Sequence, residues 1–147
     1  MAYKHVLAAV DTSEEAREVI ERAKALAEEH KAKLSICSVV RPITHVYGGL
    51  DMMAYSQASV NFEEEALAQA RKHIETEADR VQVKADDVHV GIGAPAPQIV
   101  DTAETLGADL IVVGSHGKHG LGLLLGSTAN GVLHQAGCDV LTVRIQS

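Results

Sequence analysis

The chain has 147 residues, 46% of them hydrophobic but only 3% aromatic, with no Trp and a single Phe, Phe62. That length suits one domain, residues 1–147, whose core must be built from Val, Ile, Leu and Ala. A formal charge of −7, from 13 basic and 20 acidic residues, disfavours nonspecific binding to nucleic acid or anionic lipid.

No apolar run reaches the roughly 18 residues of a membrane span. The first such run, "HVLAAV" at 5–10, meets Asp11 too soon to serve as a signal peptide, so the expected location is cytoplasmic. It predicts a strand. A helical pattern follows, with Thr12 and Glu15 spaced as a capping box and Ala16, Val19, Ile20, Ala23, Leu26 and Ala27 on one face. "KLSICSVV" at 33–40 predicts the second strand. The stretch 41–59, "RPITHVYGGLDMMAYSQAS", is long for a strand-to-helix loop and suggests a solvated loop, a lid or a contact surface.

A second helix is predicted from near Asn61, with Leu67, Ala70, Ile74, Ala78 and Val81 on one stripe. "DVHVGI" at 87–92 predicts strand three. The next helix opens on Pro95 and Pro97, carries Ile99, Val100, Ala103 and Leu106 inward, and stops at Gly107. "DLIVVG" at 109–114 and "DVLTVRI" at 139–145 predict the last two strands. Between them a helix starting at Ser127 is expected to bury Ala129, Val132, Leu133 and Ala136. Cys37 and Cys138 sit in or beside strand-like runs without a CxxC pattern, as core thiols do. The eight histidines are scattered, none forms HExxH, and no metal site is expected.

Strict alternation of apolar strands and helices predicts an α/β fold, a doubly wound parallel sheet with helices on both faces. Ligands of such sheets bind beyond the carboxyl ends of the strands, where strand order reverses. Asp11, Val39 and Gly114 stand at or beside such ends, and Gly114 opens the glycine-rich stretch "GSHGKHGLGLLLGSTAN". That stretch is neither a Walker A loop, since His119 follows Gly117-Lys118, nor a GxSxG elbow. "GIGAPA" at 91–96 fits a loose dinucleotide fingerprint, but Pro95 and Pro97 remove N–H donors and no acidic residue ends the next strand. What survives is a phosphate cradle at the start of the Ser127 helix, or a flexible loop with Ser127 as a plain N-cap. Asp11 likewise reads as an N-cap or as a ligand contact.

"AYKHVLAAVDTSEEA", "DLIVVGSHGKHGLGLLLGSTAN" and "CDVLTVR" together resemble the universal stress protein family over essentially the whole chain. The resemblance implies a Rossmann-like five-stranded parallel sheet in the order 3-2-1-4-5. Nucleotide-binding members carry G-x2-G-x9-G-[ST]; here Gly114-x2-Gly117 is followed by eight residues before Gly126-Ser127. Carried over, the motif implies Gly117, Gly126, Ser127 and Thr128 at the phosphates and Asp11 and Gly114 near the ribose. Ala9 and Val39 would flank the adenine, with Val113 and His116 lining the pocket. The ligand implied is ATP, ADP or AMP, with Mg2+ able to accompany ATP, and the assembly implied is a homodimer through strand 5, residues 139–145. The expected function is nucleotide binding in a stress response, without enzymatic turnover. The alternatives are a slow ATPase using His116 or His119, and a nucleotide-free dimeric interaction module.

Overall fold

Strand β1 (His5–Val10) is buried from Val6 onward, and its side chains alternate between two cores. Val6, Ala8 and Val10 enter one; Leu7 and Ala9 enter the other. A strand apolar on both faces needs cover on both, and the chain supplies it with helices crossing each face. The computed structural model describes residues 2–41, 52–84, 87–115 and 126–145, with 52–61 described as backbone only. The elements after β1 are α1 (Glu15–His30), β2 (Lys33–Val40), α2 (Met52–Arg80), β3 (Val88–Ile92) and α3 (Pro95–Leu106). They continue with β4 (Leu110–Gly114), α4 (Ser127–Gln135) and β5 (Asp139–Val143). All neighbouring strands pair in parallel, and the sheet order is β3-β2-β1-β4-β5, as the resemblance implied.

α1 and α2 cover one face. Val19, Ile20 and Ala23 of α1 and Ile74 and Ala78 of α2 pack with Val6, Ala8, Ile36 and Val112. α3 and α4 cover the other, where Ile99, Ala103, Ala129 and Val132 pack with Leu7, Ala9, Ile111 and Val113. The alanines that dominate the inner face of α1 keep that helix close to the sheet. α3 ends as expected, with Gly107 in the left-handed region at φ 72°.

Four local expectations need correction. α2 begins at Met52, nine residues before Asn61, so residues 52–59 of the supposed irregular stretch are helical while 42–51 lie outside the described residues. "MMAYSQASVN" contains no Gly or Pro, and its backbone is free to extend the helix without the apolar stripe that marks the later turns. The Thr12–Glu15 capping box is absent. α1 is entered through tight turns, Ala16 N to Ser13 O at 3.2 Å and Arg17 N to Glu14 O at 3.4 Å, which leave Thr12 outside the helix. Leu133 is 50% exposed, because α3 and the sheet reach only the Ala129–Val132 side of the short α4. Strands three to five are each a residue or two shorter than read. At β4 this is because the Asp109 carboxylate accepts the Lys4 and His5 N–H groups, at 2.9 and 3.0 Å, before the ladder starts.

One polar contact inside this apolar frame joins α1 to α2. Glu77, 7% exposed, accepts from Arg17 Nε at 3.1 Å and Nη2 at 3.3 Å, with Arg80 Nε 3.7 Å away. The Arg17 hydrogen bond, helped by the nearby positive charge of Arg80, holds the Glu77 carboxyl below its ordinary range although burial opposes this. A carboxyl depressed in the folded state contributes stability above its unfolded pKa and loses it as pH falls through the folded value. Glu77→Gln should therefore lower the urea midpoint at neutral pH, and the gap to wild type should close in acid below about pH 4. Equal midpoints at neutral pH would show that the pair contributes nothing.

Candidate functional site

The connection after β1 runs towards β2, and the one after β3 crosses to β4 on the far side of β1. The chain therefore leaves the carboxyl ends of the paired β1 and β4 in opposite directions, and a cleft of about 510 Å³ opens there. Its floor is apolar, from Ala9 and Val10 of β1, Val39 of β2 and Val113 of β4. Asp11, Gly114, Gly126, Ser127 and Thr128 line it as well, so the structure gathers these sequence-predicted residues in one place. His116 and Gly117 lie outside the described residues.

Three helices begin at the rim of this cleft, through Glu15 of α1, Pro95 of α3 and Ser127 of α4, and their first turns differ in chemistry. α1 places Glu15 and Glu18 in its first turn, so its positive dipole end is already answered by carboxylates. α3 has Pro95 and Pro97 there, which carry no N–H. α4 has neither. Gly126 is its N-cap, no side chain caps it, and no acidic residue stands in its first turn. Its first helical bond runs from Asn130 N to Gly126 O at 2.9 Å, so the N–H groups of Ser127, Thr128 and Ala129 have no acceptor within the helix. The plain N-cap reading of Ser127 is thereby corrected, since Ser127 is the first helical residue.

Asp11 is not the cap of α1 either; Glu14 holds that position. Its Oδ1 accepts the Ser13 N–H at 2.9 Å and the Ser13 hydroxyl. This Asx-type turn fixes the carboxylate at the end of β1, where it lines the cleft. Gly114 has a packing reason for being glycine. A Cβ there would stand 3.3 Å from Val19 Cγ2 and 3.4 Å from Ile145 Cδ1.

Sequence reading missed Ser38, Arg41, Ile99 and Ile145, all of which line the cleft. The strand-end rule reads 39–41 as the end of the second strand without assigning Arg41 to the site, and Ser38 stands one residue before that end. Ile145 was read as the last residue of the fifth strand; it lies beyond β5 and returns to the cleft through tertiary contact.

Titratable groups away from the cleft serve the frame. At the opposite end of the sheet His5 Nδ1 lies 3.2 Å from Leu106 O and Nε2 lies 2.8 Å from Ser35 Oγ. Burial pushes the His5 pKa down, so the neutral ring donates through Nδ1 to the carbonyl and accepts the Ser35 hydroxyl at Nε2. Burial also pushes the Cys37 thiol up to about 12 and raises Cys138; both cysteines are unpaired, as expected of core thiols. Among the described residues, no three His, Cys, Asp or Glu side chains are grouped as metal ligands, and no helix is long and apolar enough to cross a membrane.

An open α/β sheet with its cleft at the point of strand reversal defines the Rossmann-like class. Within it, the model of the universal stress protein family matches residues 2–144. Universal stress protein A homolog 1 of Coxiella burnetii is 41% identical over 143 residues, covering 97% of each chain. Among solved structures, the universal stress protein UspA from Lactobacillus plantarum superposes with a TM-score of 0.82 at 25% identity, over 98% of this chain and 99% of that one. A universal stress protein in complex with cAMP superposes at 0.63 with 26% identity, over 98% of both. The chain belongs to the universal stress protein family.

Gly114→Val should lower the unfolding free energy by about 1–3 kcal/mol, because the added carbons press on Val19 and Ile145 in a packed wall. Chemical denaturation of ligand-free protein measures this, and unchanged stability would mean that the wall yields.

Proposed function

We propose that this protein is a cytoplasmic stress-response protein that binds an adenine nucleotide (ATP, ADP or AMP) in the cleft between β1 and β4. The observation that carries the proposal is the first turn of α4, which offers backbone N–H groups to the cleft where α1 offers carboxylates and α3 offers prolines. Each N–H bond to a charged phosphate oxygen contributes about 1.5–3 kcal/mol. Three such bonds reach the order of the roughly 8 kcal/mol of micromolar binding. The cAMP complex of a relative with the same fold supports the same ligand chemistry.

In this reading the phosphates lie on the N–H groups of Ser127, Thr128 and Ala129, with Gly126, whose own N–H is held by the Ser115 carbonyl, allowing close approach; Asp11 accepts from the ribose hydroxyls near the Gly114 backbone. Ala9 and Val39 flank the adenine, with Val113 beneath it. By resemblance Gly117 joins the phosphate contacts and His116 the lining, and Mg2+ would enter with the phosphates of ATP. The chemistry is retention of the ligand. Backbone N–H groups bind phosphate but take up no proton, and the histidines that the ATPase alternative names as acid or base, His116 and His119, lie outside the described residues.

Gly126 has φ −63° and ψ 155°, an extended conformation open to any residue, so a substitution there tests close approach and not strain. In calorimetric titration, Gly126→Val should weaken ATP binding by more than about tenfold, or 1.4 kcal/mol. Equal affinity, or no heat from a folded wild type stripped of copurified ligand, would overturn the site.

A homodimer through β5 belongs to the same proposal. The two edges of the sheet differ. At β3 the Arg71 guanidinium donates to Val88 O at 3.3 Å, covering a carbonyl of the edge. At β5 the Val143 carbonyl faces β4 and accepts from Ser115, so the alternate residues Val140 and Thr142 turn their backbone groups outward. An edge of that kind is open to pairing with a second copy. Thr142→Pro removes one outward N–H and leaves the β4 ladder intact. Sedimentation should show wild-type dimer and variant monomer, whereas monomeric wild type would rule the pairing out.

A further inference from the structure

Ser115 leaves the end of β4 and holds two separate segments. Its N–H donates to Val143 O at 2.7 Å, and its Oγ accepts the Ile145 N–H at 3.1 Å; both bonds hold the chain as it leaves β5. Its carbonyl accepts the Gly126 N–H at 2.6 Å, which holds the N-cap of α4. Ile145 is 5% exposed, lines the cleft and stands over Gly114. The wall that offers the α4 N–H groups and the last residues of the outer strand are therefore tied to a single residue between them.

From this arrangement we infer that Ser115 is a positioning residue coupling the N-terminus of α4 to the carboxyl end of β5. The carbonyl that holds Gly126 and the N–H and Oγ that hold residues 143–145 are separated only by the two backbone torsions and χ1 of Ser115. Displacing one partner re-aims the bond to the other. An anion that draws in the first turn of α4 tightens residues 143–145 at the sheet edge, and loosening 143–145 weakens the hold on the anion by the same factor, since such coupling is reciprocal. The ligand arm of the inference rests on the proposed nucleotide site; the mechanical arm does not.

Amide hydrogen exchange followed by NMR tests both arms. Ligand-free Ser115→Ala deletes the hydroxyl that accepts the Ile145 N–H and leaves both backbone bonds of residue 115 in place. The inference expects the Gly126 amide, whose own acceptor is untouched, to exchange at least about tenfold faster along with Ile145, and expects Ser115→Thr to restore both. Ser115→Cys, which keeps a side chain of similar length but a poorer acceptor, should behave as Ser115→Ala does and serves if the alanine variant does not fold. Acceleration confined to Ile145 would overturn the coupling, whatever the ligand. With ATP added, wild type should gain protection at both Gly126 and Ile145, and Ser115→Ala should lose the gain at Ile145 together with severalfold affinity. A wild type that takes up no ATP would refute the nucleotide site, while the ligand-free exchange still decides the coupling.

Discussion

β1 and β4 lie side by side at the middle of the sheet, paired from Val6 with Leu110 to Ala9 with Val113, and the rest of the molecule depends on that contact. Both strands are apolar on both faces, so each needs helices above and below. The chain reaches β2 and β3 on one side of β1 and returns to place β4 and β5 on the other. A right-handed crossover carries helices to one face on the outward path and to the opposite face on the return. The two sets of helices diverge above the β1–β4 pair, which leaves the cleft where the floor is two adjacent strand ends. Site and core share one cause.

On the proposed nucleotide reading, it is the backbone that favours an anion in a chain of net charge −7. Exposed charges more than about 8 Å away are largely screened at physiological salt. What matters locally is which groups stand within hydrogen-bonding reach. Glu15 and Asp11 border the α1 side of the cleft, the Pro95 turn with its two prolines borders the α3 side, and among the described residues the α4 side presents three consecutive N–H groups without a helical acceptor. The polarity of the cleft is thus uneven, with carboxylate acceptors towards β1 and amide donors towards α4. A ligand with hydroxyls at its middle and negative charge at one end matches that gradient.

The two edges of the sheet meet different physical demands. β3 is backed by the long α2, whose Arg71 reaches the Val88 carbonyl and whose Glu77 is clamped by Arg17 of α1. β5 is followed at once by residues that turn back to Ser115 and the cleft. At the β3 edge, side chains of the same chain cap the carbonyls of Val88 and Ile92. The other keeps its outward backbone groups at Val140 and Thr142 and stays mechanically close to the α4 wall.

Apolar periodicity alone determined the alternation of strands and helices. β1 and β2 were legible to the residue because their burial is continuous and both are bounded by charged or turn-forming residues. The positions of Asp11, Val39, Gly114 and Ser127 near one cleft were legible because strand ends and helix starts are local events in sequence, whereas Ala9 and Val113 came with the family resemblance. Their assembly in the order β3-β2-β1-β4-β5 came from the family resemblance and not from periodicity, which carries no information on which strands are neighbours. Tertiary structure alone decided the rest. Whether a helix start binds an anion or caps itself depends on where nearby side chains turn, as with Asp11 binding Ser13 and Thr12 left outside α1. The extent of α2 was hidden because its first turns lack the apolar stripe by which helices are read. Ile145 and Glu77 were hidden because their partners, Ser115 and Arg17, are 30 and 60 residues distant along the chain and meet them only across the packed fold.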